Sequence, residues 1–285
     1  MGVKTDLSSH LALITGAAGG IGLEFAKVMA RGGASLILAD INGERLKEAK
    51  AIIEQDCPRL SAIHLLQIDL TTDDFIDIID TFCKERKILP DILINNAGVF
   101  AFAPLADTSI KKTEIFVDLH VRAVTLLSQW FVKKRLENGG NLVCKGKAPK
   151  GTTVGWLLNM SSMSCWMPMP GLALYSSTKS YIRVFTRALH YETKDYGIGV
   201  TVACPGGIAT DLFGLPDKWK KFAVSIGVLA TPEKFAQTAV KKMLKKRKQY
   251  INGMLNRFSI FFIGILPTRV RMMVKHQLLD KGITR

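Results

Sequence analysis

Paired cysteines are missing from this chain. Its five, Cys57, Cys83, Cys144, Cys165 and Cys204, are odd in number, scattered, and without a CxxC spacing. That pattern points away from zinc and redox-dithiol sites, so no metal is expected and the thiols read as reduced in a reducing compartment. Long hydrophobic runs are missing too. Near the N-terminus, Leu11 to Ile14 is apolar for only a few residues before glycines begin, so no signal peptide is expected and a cytoplasmic start is the simplest reading. Phe258 to Leu266 falls well short of the roughly 20 apolar residues that span a bilayer. Acidic residues are scarce at one end: residues 215–285 hold 16 Lys/Arg against 3 Asp/Glu, a net +13 that leaves only +2 of the total +15 for the rest. No recognised binding motif or aromatic stacking pattern accompanies this charge, so nucleic acid is not expected as a partner.

What is present is a core. At 285 residues, with nearly half of them apolar, the chain can bury one large domain, expected over 1–285. Short apolar strands at Leu11–Thr15, Ser35–Ala39, Ala62–Ile68, Ile92–Asn95, Trp156–Met160 and Val200–Cys204 alternate with helical stretches near 23–31, 43–55, 73–86, 109–136 and 175–195. Unbroken apolar strands separated by helices predict an α/β fold, a Rossmann-like doubly wound parallel sheet in three layers. Residues 139–155, rich in glycine and lysine, break the rhythm and read as a surface excursion at the N-terminal edge of the sheet, away from where ligands bind in such folds. In the basic C-terminal extension, 240–285, Lys241, Lys242, Lys245, Lys246, Arg247 and Lys248 precede the apolar run. Two readings stand: a solvated lysine face followed by a lid or subunit contact, and peripheral contact with an anionic membrane surface.

Thr15-Gly16-Ala17-Ala18-Gly19-Gly20-Ile21-Gly22 follows a strand and opens a helix. Glycines there let the backbone approach a phosphate, and the helix N-terminus supplies N–H groups and partial positive charge, so a dinucleotide's pyrophosphate is expected at Gly16, Gly20, Ile21 and Gly22. Asp40, eighteen residues past Gly22, can accept both hydroxyls of an adenosine ribose and would repel a 2′-phosphate. No Lys or Arg at position 17 or 41 offsets that repulsion, so NAD is favoured over NADP. Asp69, followed by Leu70, can accept the adenine amino group or cap the segment that follows.

Tyr175 and Lys179 stand four residues apart, one helical turn, on one face. A free phenol titrates near 10, too high for a base at neutral pH, and a nearby ammonium favours the phenolate. With TGxxxGIG at 15–22, Asn95-Asn96-Ala97-Gly98 after the fourth strand, Ser162 thirteen residues before Tyr175, the YxxxK pair, and Pro205-Gly206 with Thr210 after the sixth strand, residues 10–212 resemble the short-chain dehydrogenase/reductase family. The resemblance implies that Ser162 hydrogen-bonds the substrate oxygen, Tyr175 transfers the proton, and Lys179 binds the nicotinamide ribose and lowers the tyrosine's pKa. It implies that Asn95, Ala97 and Gly98 line the adenosine side, that Ile208 and Thr210 contact the nicotinamide amide or pyrophosphate, that 211–230 forms a substrate lid, and that the chain forms a homo-oligomer. Ser161 is the competitor for the serine role.

One departure stands out, because His120 occupies the place of an asparagine that in the family orders a water leading from the lysine to solvent. Either imidazole preserves the relay and adds a titration near neutrality, or the relay is absent. Between Ser162 and Tyr175, the run Met163 to Gly171 is large, soft and apolar, which suits a small lipophilic ketone or secondary alcohol. Leu266-Pro267-Thr268-Arg269 is similar to the branch of the family acting on steroids and long-chain acyl ketones. The competing function is a nucleotide-sensing or scaffold protein that kept the fold without turnover.

Overall fold

The computed structural model describes residues 6–57, 62–138, 148, 151–208, 230–276 and 279. Its elements in chain order are β1 (Leu11–Thr15), α1 (Gly20–Arg31), β2 (Ser35–Asp40), α2 (Gly43–Asp56), β3 (Ile63–Gln67), α3 (Phe75–Glu85), β4 (Ile92–Asn95), α4 (Ile110–Val117), a π-helical turn (Asp118–Ala123), α5 (Val124–Asn138), β5 (Gly155–Met160), α6 (Ala173–Thr193), β6 (Ile198–Cys204), α7 (Pro232–Leu244), β7 (Gln249–Ile251), α8 (Met254–Gly264) and α9 (Thr268–Lys275). The strands form one parallel sheet in the order β3-β2-β1-β4-β5-β6-β7. The order reverses between β1 and β4, which opens a crevice at the carboxyl ends of those strands, where such sheets bind ligands.

Strand side chains alternate between two cores, as a period of two requires. Ala12, Ile14, Leu36, Leu38, Ile94 and Leu158 face Phe25, Met29 and Phe235 of α1 and α7, while Leu13, Ile37, Leu93 and Leu157 face Phe75, Ile79, Leu127 and Phe131 of α3 and α5. Both faces are covered, so the apolar runs need no polar interruption. β7 is a strand that periodicity did not single out, being three residues long beside Lys245–Lys248. After α6, Gly197 at φ +76 turns the chain back into β6. Ala148, within the 139–155 stretch, donates its N–H to Asp195 O, and Val154 donates to Gly197 O, both just before β6 and so at the N-terminal edge.

The helix from Ile110 to Asn138 is the one helix among the described residues long and apolar enough to cross a bilayer. Phe116, His120, Ala123, Leu127 and Phe131 are buried from one side of it, so its apolarity is that of a core helix. The π-helical turn in its middle widens the spiral, a device common at functional sites, and sets His120 wholly inside. Cys57, Cys83, Cys165 and Cys204 are free thiols.

Candidate active site

The glycine turn is shaped by collisions that side chains would cause. Gly16 and Gly20 have φ of +64 and +54, a region L side chains rarely adopt. A Cβ on Gly22 would lie 1.9 Å from Gly16 O, and one on Gly16 would lie 2.9 Å from Ala97 Cα. Asn96 pins this turn: its Nδ2 donates to Thr15 O at 3.0 Å and Gly16 O at 3.1 Å. Thr15 Oγ1 in turn accepts the N–H groups of Asn96 and Ala97, both at 3.1 Å. The end of β4 is thereby stapled to the end of β1.

Beside this turn lies a cavity of about 310 Å³, lined by Gly16, Asp40, Asp69, Leu70, Ala97 and Gly98 among others. Asp40 Oδ2 accepts the Ala18 N–H at 3.1 Å and Oδ1 accepts that of Asn42 at 3.0 Å, which fixes the carboxylate at the cavity's edge. Asp69 Oδ1 accepts from the Thr71 N–H and hydroxyl at 2.8 and 2.7 Å, so it holds a turn while Leu70 helps wall the cavity. Ile21 packs its side chain on the core from the first turn of α1. Close backbone approach, a helix N-terminus and a carboxylate at the end of β2 fit a dinucleotide's adenosine half.

One expected contact differs. Asn95 does not line the adenosine side: its Nδ2 donates to Asn159 Oδ1 at 2.8 Å, within a buried polar network in which Asn159 Nδ2 donates to Thr186 Oγ1 at 3.0 Å. The reason is register. Asn95 pairs with Asn159 across β4 and β5, and the pleat turns it inward, leaving Asn96 for the turn. Ile208 buries its side chain in the core with residues of α1 and α7. Thr210 and nearly all of 211–230 lie outside the described residues.

Ser161 and Ser162 follow β5 and part in role. Ser161 Oγ donates to Lys179 O at 2.7 Å and so anchors α6, whereas Ser162 Oγ accepts the Ser164 N–H at 3.1 Å and hydrogen-bonds Tyr175. Tyr175 and Lys179 project from α6 into the interior, at 9% and 5% exposure. Lys179 Nζ donates to Met160 O at 3.2 Å and sits 5.7 Å from the centre of the tyrosine ring. Burial pushes the lysine down to about 8. Burial also raises the phenol above its ordinary value despite the Ser162 hydrogen bond, so the expected lowering of Tyr175 gives way to desolvation. Ser162, Tyr175 and Lys179 are thus brought together, with the phenol a proton donor at neutral pH.

His120 joins them but not as a titrating relay. Its Nε2 accepts the Val99 N–H at 3.1 Å, which leaves the proton on Nδ1 to be donated to Thr178 Oγ1 at 3.0 Å; the Thr178 hydroxyl then donates to Tyr175 O at 3.0 Å. Burial first, then the Lys179 charge, push its pKa down to about 2, so the titration near neutrality does not occur. The imidazole is a neutral strut between the Val99 backbone and α6. A basic group with a folded pKa near 2 and an unfolded one near 6.5 lets the unfolded chain bind a proton that the native chain does not. Its contribution to stability is therefore complete above about pH 6.5 and is lost as pH falls toward 2, at about 1.4 kcal/mol per pH unit. His120→Asn is expected to flatten the acid limb of stability measured by urea unfolding and to leave the apparent pKa values of the pH–rate profile in place; a shifted profile would restore the relay.

Sequence reasoning missed Asn96, Thr15, Thr178 and Arg45. The motifs named the first two, but the role of Asn96 went to its neighbour and Thr15 was given none. Arg45, in the first turn of α2, brings its guanidinium against the glycine turn: a Cβ on Gly19 would lie 3.2 Å from Arg45 Nη2. A cation five residues past Asp40 was the available signal.

Comparison with known proteins agrees with this geometry. A family model described as short chain dehydrogenase matches residues 10–221. Cyclopentanol dehydrogenase of Comamonas testosteroni is 31% identical over 72% of this chain and 76% of its own, and gluconate 5-dehydrogenase of Gluconobacter oxydans is 33% identical over 73% and 74%. Dehydrogenase/reductase SDR family member 7B of Xenopus laevis is 27% identical over 92% of this chain and 80% of its own. In fold, the chain is similar to a short-chain dehydrogenase from Sphingobium yanoikuyae in complex with NADPH, with TM-score 0.71 and 22% identity over 94% and 96% of the two chains. With its glycine turn, its Ser162, Tyr175 and Lys179 cluster and these relatives, the chain belongs to the short-chain dehydrogenase/reductase family of NAD(P)-dependent alcohol and ketone oxidoreductases.

Proposed function

We propose that the protein interconverts a lipophilic secondary alcohol and its ketone, using NAD in preference to NADP. The observation that carries the substrate reading is the wall around Tyr175. Phe100 meets the tyrosine ring edge-on at 5.0 Å and Phe116 at 6.5 Å. A Cβ on Gly171 would lie 2.9 Å from Phe102 and 3.2 Å from Leu279, so the segment between Ser162 and Tyr175 is flanked by an aromatic ring and an aliphatic side chain. Arg183 lies over the Trp166 ring, 4.3 Å from its centre. Aromatic and soft apolar side chains around one proton donor support a ligand recognised by apolar area.

In reduction, the Ser162 hydroxyl holds the carbonyl oxygen and Tyr175 donates its phenolic proton to it; in oxidation the same proton returns. Lys179, held by the Met160 carbonyl, shares the tyrosine's helix face and keeps its charge 5.7 Å from the ring centre. A bound nicotinamide supplies or accepts the hydride. Asp40 favours the unphosphorylated cofactor by repelling a 2′-phosphate.

Secondary alcohols of increasing apolar size, followed with NAD by absorbance of the reduced cofactor, test this reading. Each buried methylene contributes about 0.8 kcal/mol, so kcat/KM is expected to rise about fourfold per methylene until the wall is filled. Turnover of gluconate-like polyols at least as fast as that of polycyclic alcohols would sink it.

A further inference from the structure

α8 turns a broad apolar stripe outward. In a helix on the surface of a soluble domain the polar face meets water and the apolar face meets the core. Among its described side chains, two that turn inward beside Ile260 are polar: Asn256 Nδ2 donates to Asn252 O at 2.8 Å and its amide closes on Gly206, and Ser259 Oγ reaches Met163 Sδ at 3.8 Å. Outward stand Met254, Leu255, Phe258 and Phe262, at 71, 73, 59 and 66% exposure, with Ile265 just past the helix at 76%. At 3.6 residues per turn, the four helical positions fall within an arc of about 100°. α9 adds Met272 and Met273 beside Arg269 on its exposed side. Seven of the large apolar side chains exposed among the described residues therefore lie within residues 254–273.

The charge around this stripe has one sign. Residues 230–276 carry eleven Lys/Arg against one acidic residue, Glu233, and residues 249–276 carry no acidic residue at all. Arg257 and Arg269 are exposed on the two helices themselves. An exposed apolar stripe about a hundred degrees wide, flanked only by cations, complements a surface that is apolar beneath and anionic at the top, which is the interface of a bilayer containing acidic lipids. A second copy of the chain would bring the same cations against each other.

We propose that α8 and α9 dock on an anionic lipid surface, with Phe258 and Phe262 entering the headgroup boundary and Arg257 and Arg269 pairing with lipid phosphates. The inward side of α8 rests on Met163, one residue past Ser162, so docking sets the substrate side of the active site at the membrane. Docking itself does not depend on the substrate reading, because it is measured without turnover.

The test is flotation of the full chain with vesicles of phosphatidylcholine plus phosphatidylglycerol, and with phosphatidylcholine alone. Wild type is expected to float with the anionic vesicles, weakly with the neutral ones, and to be released as salt approaches 1 M, where the Debye length is about 3 Å. Phe258→Glu with Phe262→Glu changes only exposed positions and is expected to lower the partition coefficient about a hundredfold while the circular dichroism spectrum stays unchanged. Wild type remaining with the soluble fraction, or a double variant floating as well as wild type, overturns the proposal. So does a dimer in gel filtration that the double variant dissolves without any vesicle binding, which would make the stripe a contact between copies.

Discussion

Tyr175→Phe is expected to lower kcat by about a thousandfold, within the range that one positioned acid–base group contributes. Volume and ring contacts survive the change, because phenylalanine keeps the edge-on packing against Phe100 at 5.0 Å and Phe116 at 6.5 Å. Cofactor binding, followed by fluorescence, and KM are therefore expected to move little, and the loss falls on the step in which a proton reaches the substrate oxygen. The direction of the Tyr175 shift adds a pH signature. Burial raises this phenol, so its own contribution to the reduction rate in the wild type holds through neutral pH and is lost as the phenol ionises, above the ordinary value of about 10. Oxidation, which needs the phenolate, climbs over the same range. A variant retaining more than about a tenth of wild-type kcat would remove Tyr175 from the proton path.

Asp40→Ser is expected to raise the ratio of kcat/KM with NADP to that with NAD about a hundredfold. A carboxylate facing a phosphate at about 4 Å costs roughly 4 kcal/mol at an effective dielectric of 20, and partial exposure of Asp40 reduces that to the size of two decades. The Arg45 guanidinium, which lies beside Gly19, is then expected to pair with the added phosphate. Asp40→Ser with Arg45→Ala is accordingly expected to lose most of the gain. Steady-state kinetics with both cofactors read the ratio directly. An unchanged ratio in the single variant would place the ribose elsewhere.

The family and most of the sheet were legible in the residues because their signals are local. An unbroken run such as Ile92 to Asn95 belongs in a strand covered on both faces, and Tyr175 and Lys179 share a face at any four-residue spacing on a helix. Gly16 and Gly22 were readable for the same reason, since a tight turn before a helix excludes a Cβ wherever it occurs. β7 was not legible, because three residues beside a lysine cluster carry too little periodicity.

Long-range contacts decided the rest. Asn95 and Asn96 are neighbours of one residue type, and only the pairing of Asn95 with Asn159 across β4 and β5 sent one into the core and the other to the glycine turn. His120 looked able to titrate until Val99 and Thr178, brought from two other parts of the chain, took both ring nitrogens, and burial beside the Lys179 charge disfavoured its protonation. The apolar run after residue 257 was plain in the sequence, yet the outward placement of Phe258 and Phe262 depended on Asn256 and Ser259 turning toward Gly206 and Met163. Spacing along a chain sets which side chains share a face. Which face is buried, and what charge a buried group can hold, follows from what the fold packs against it, since desolvation and pairing are properties of the surroundings.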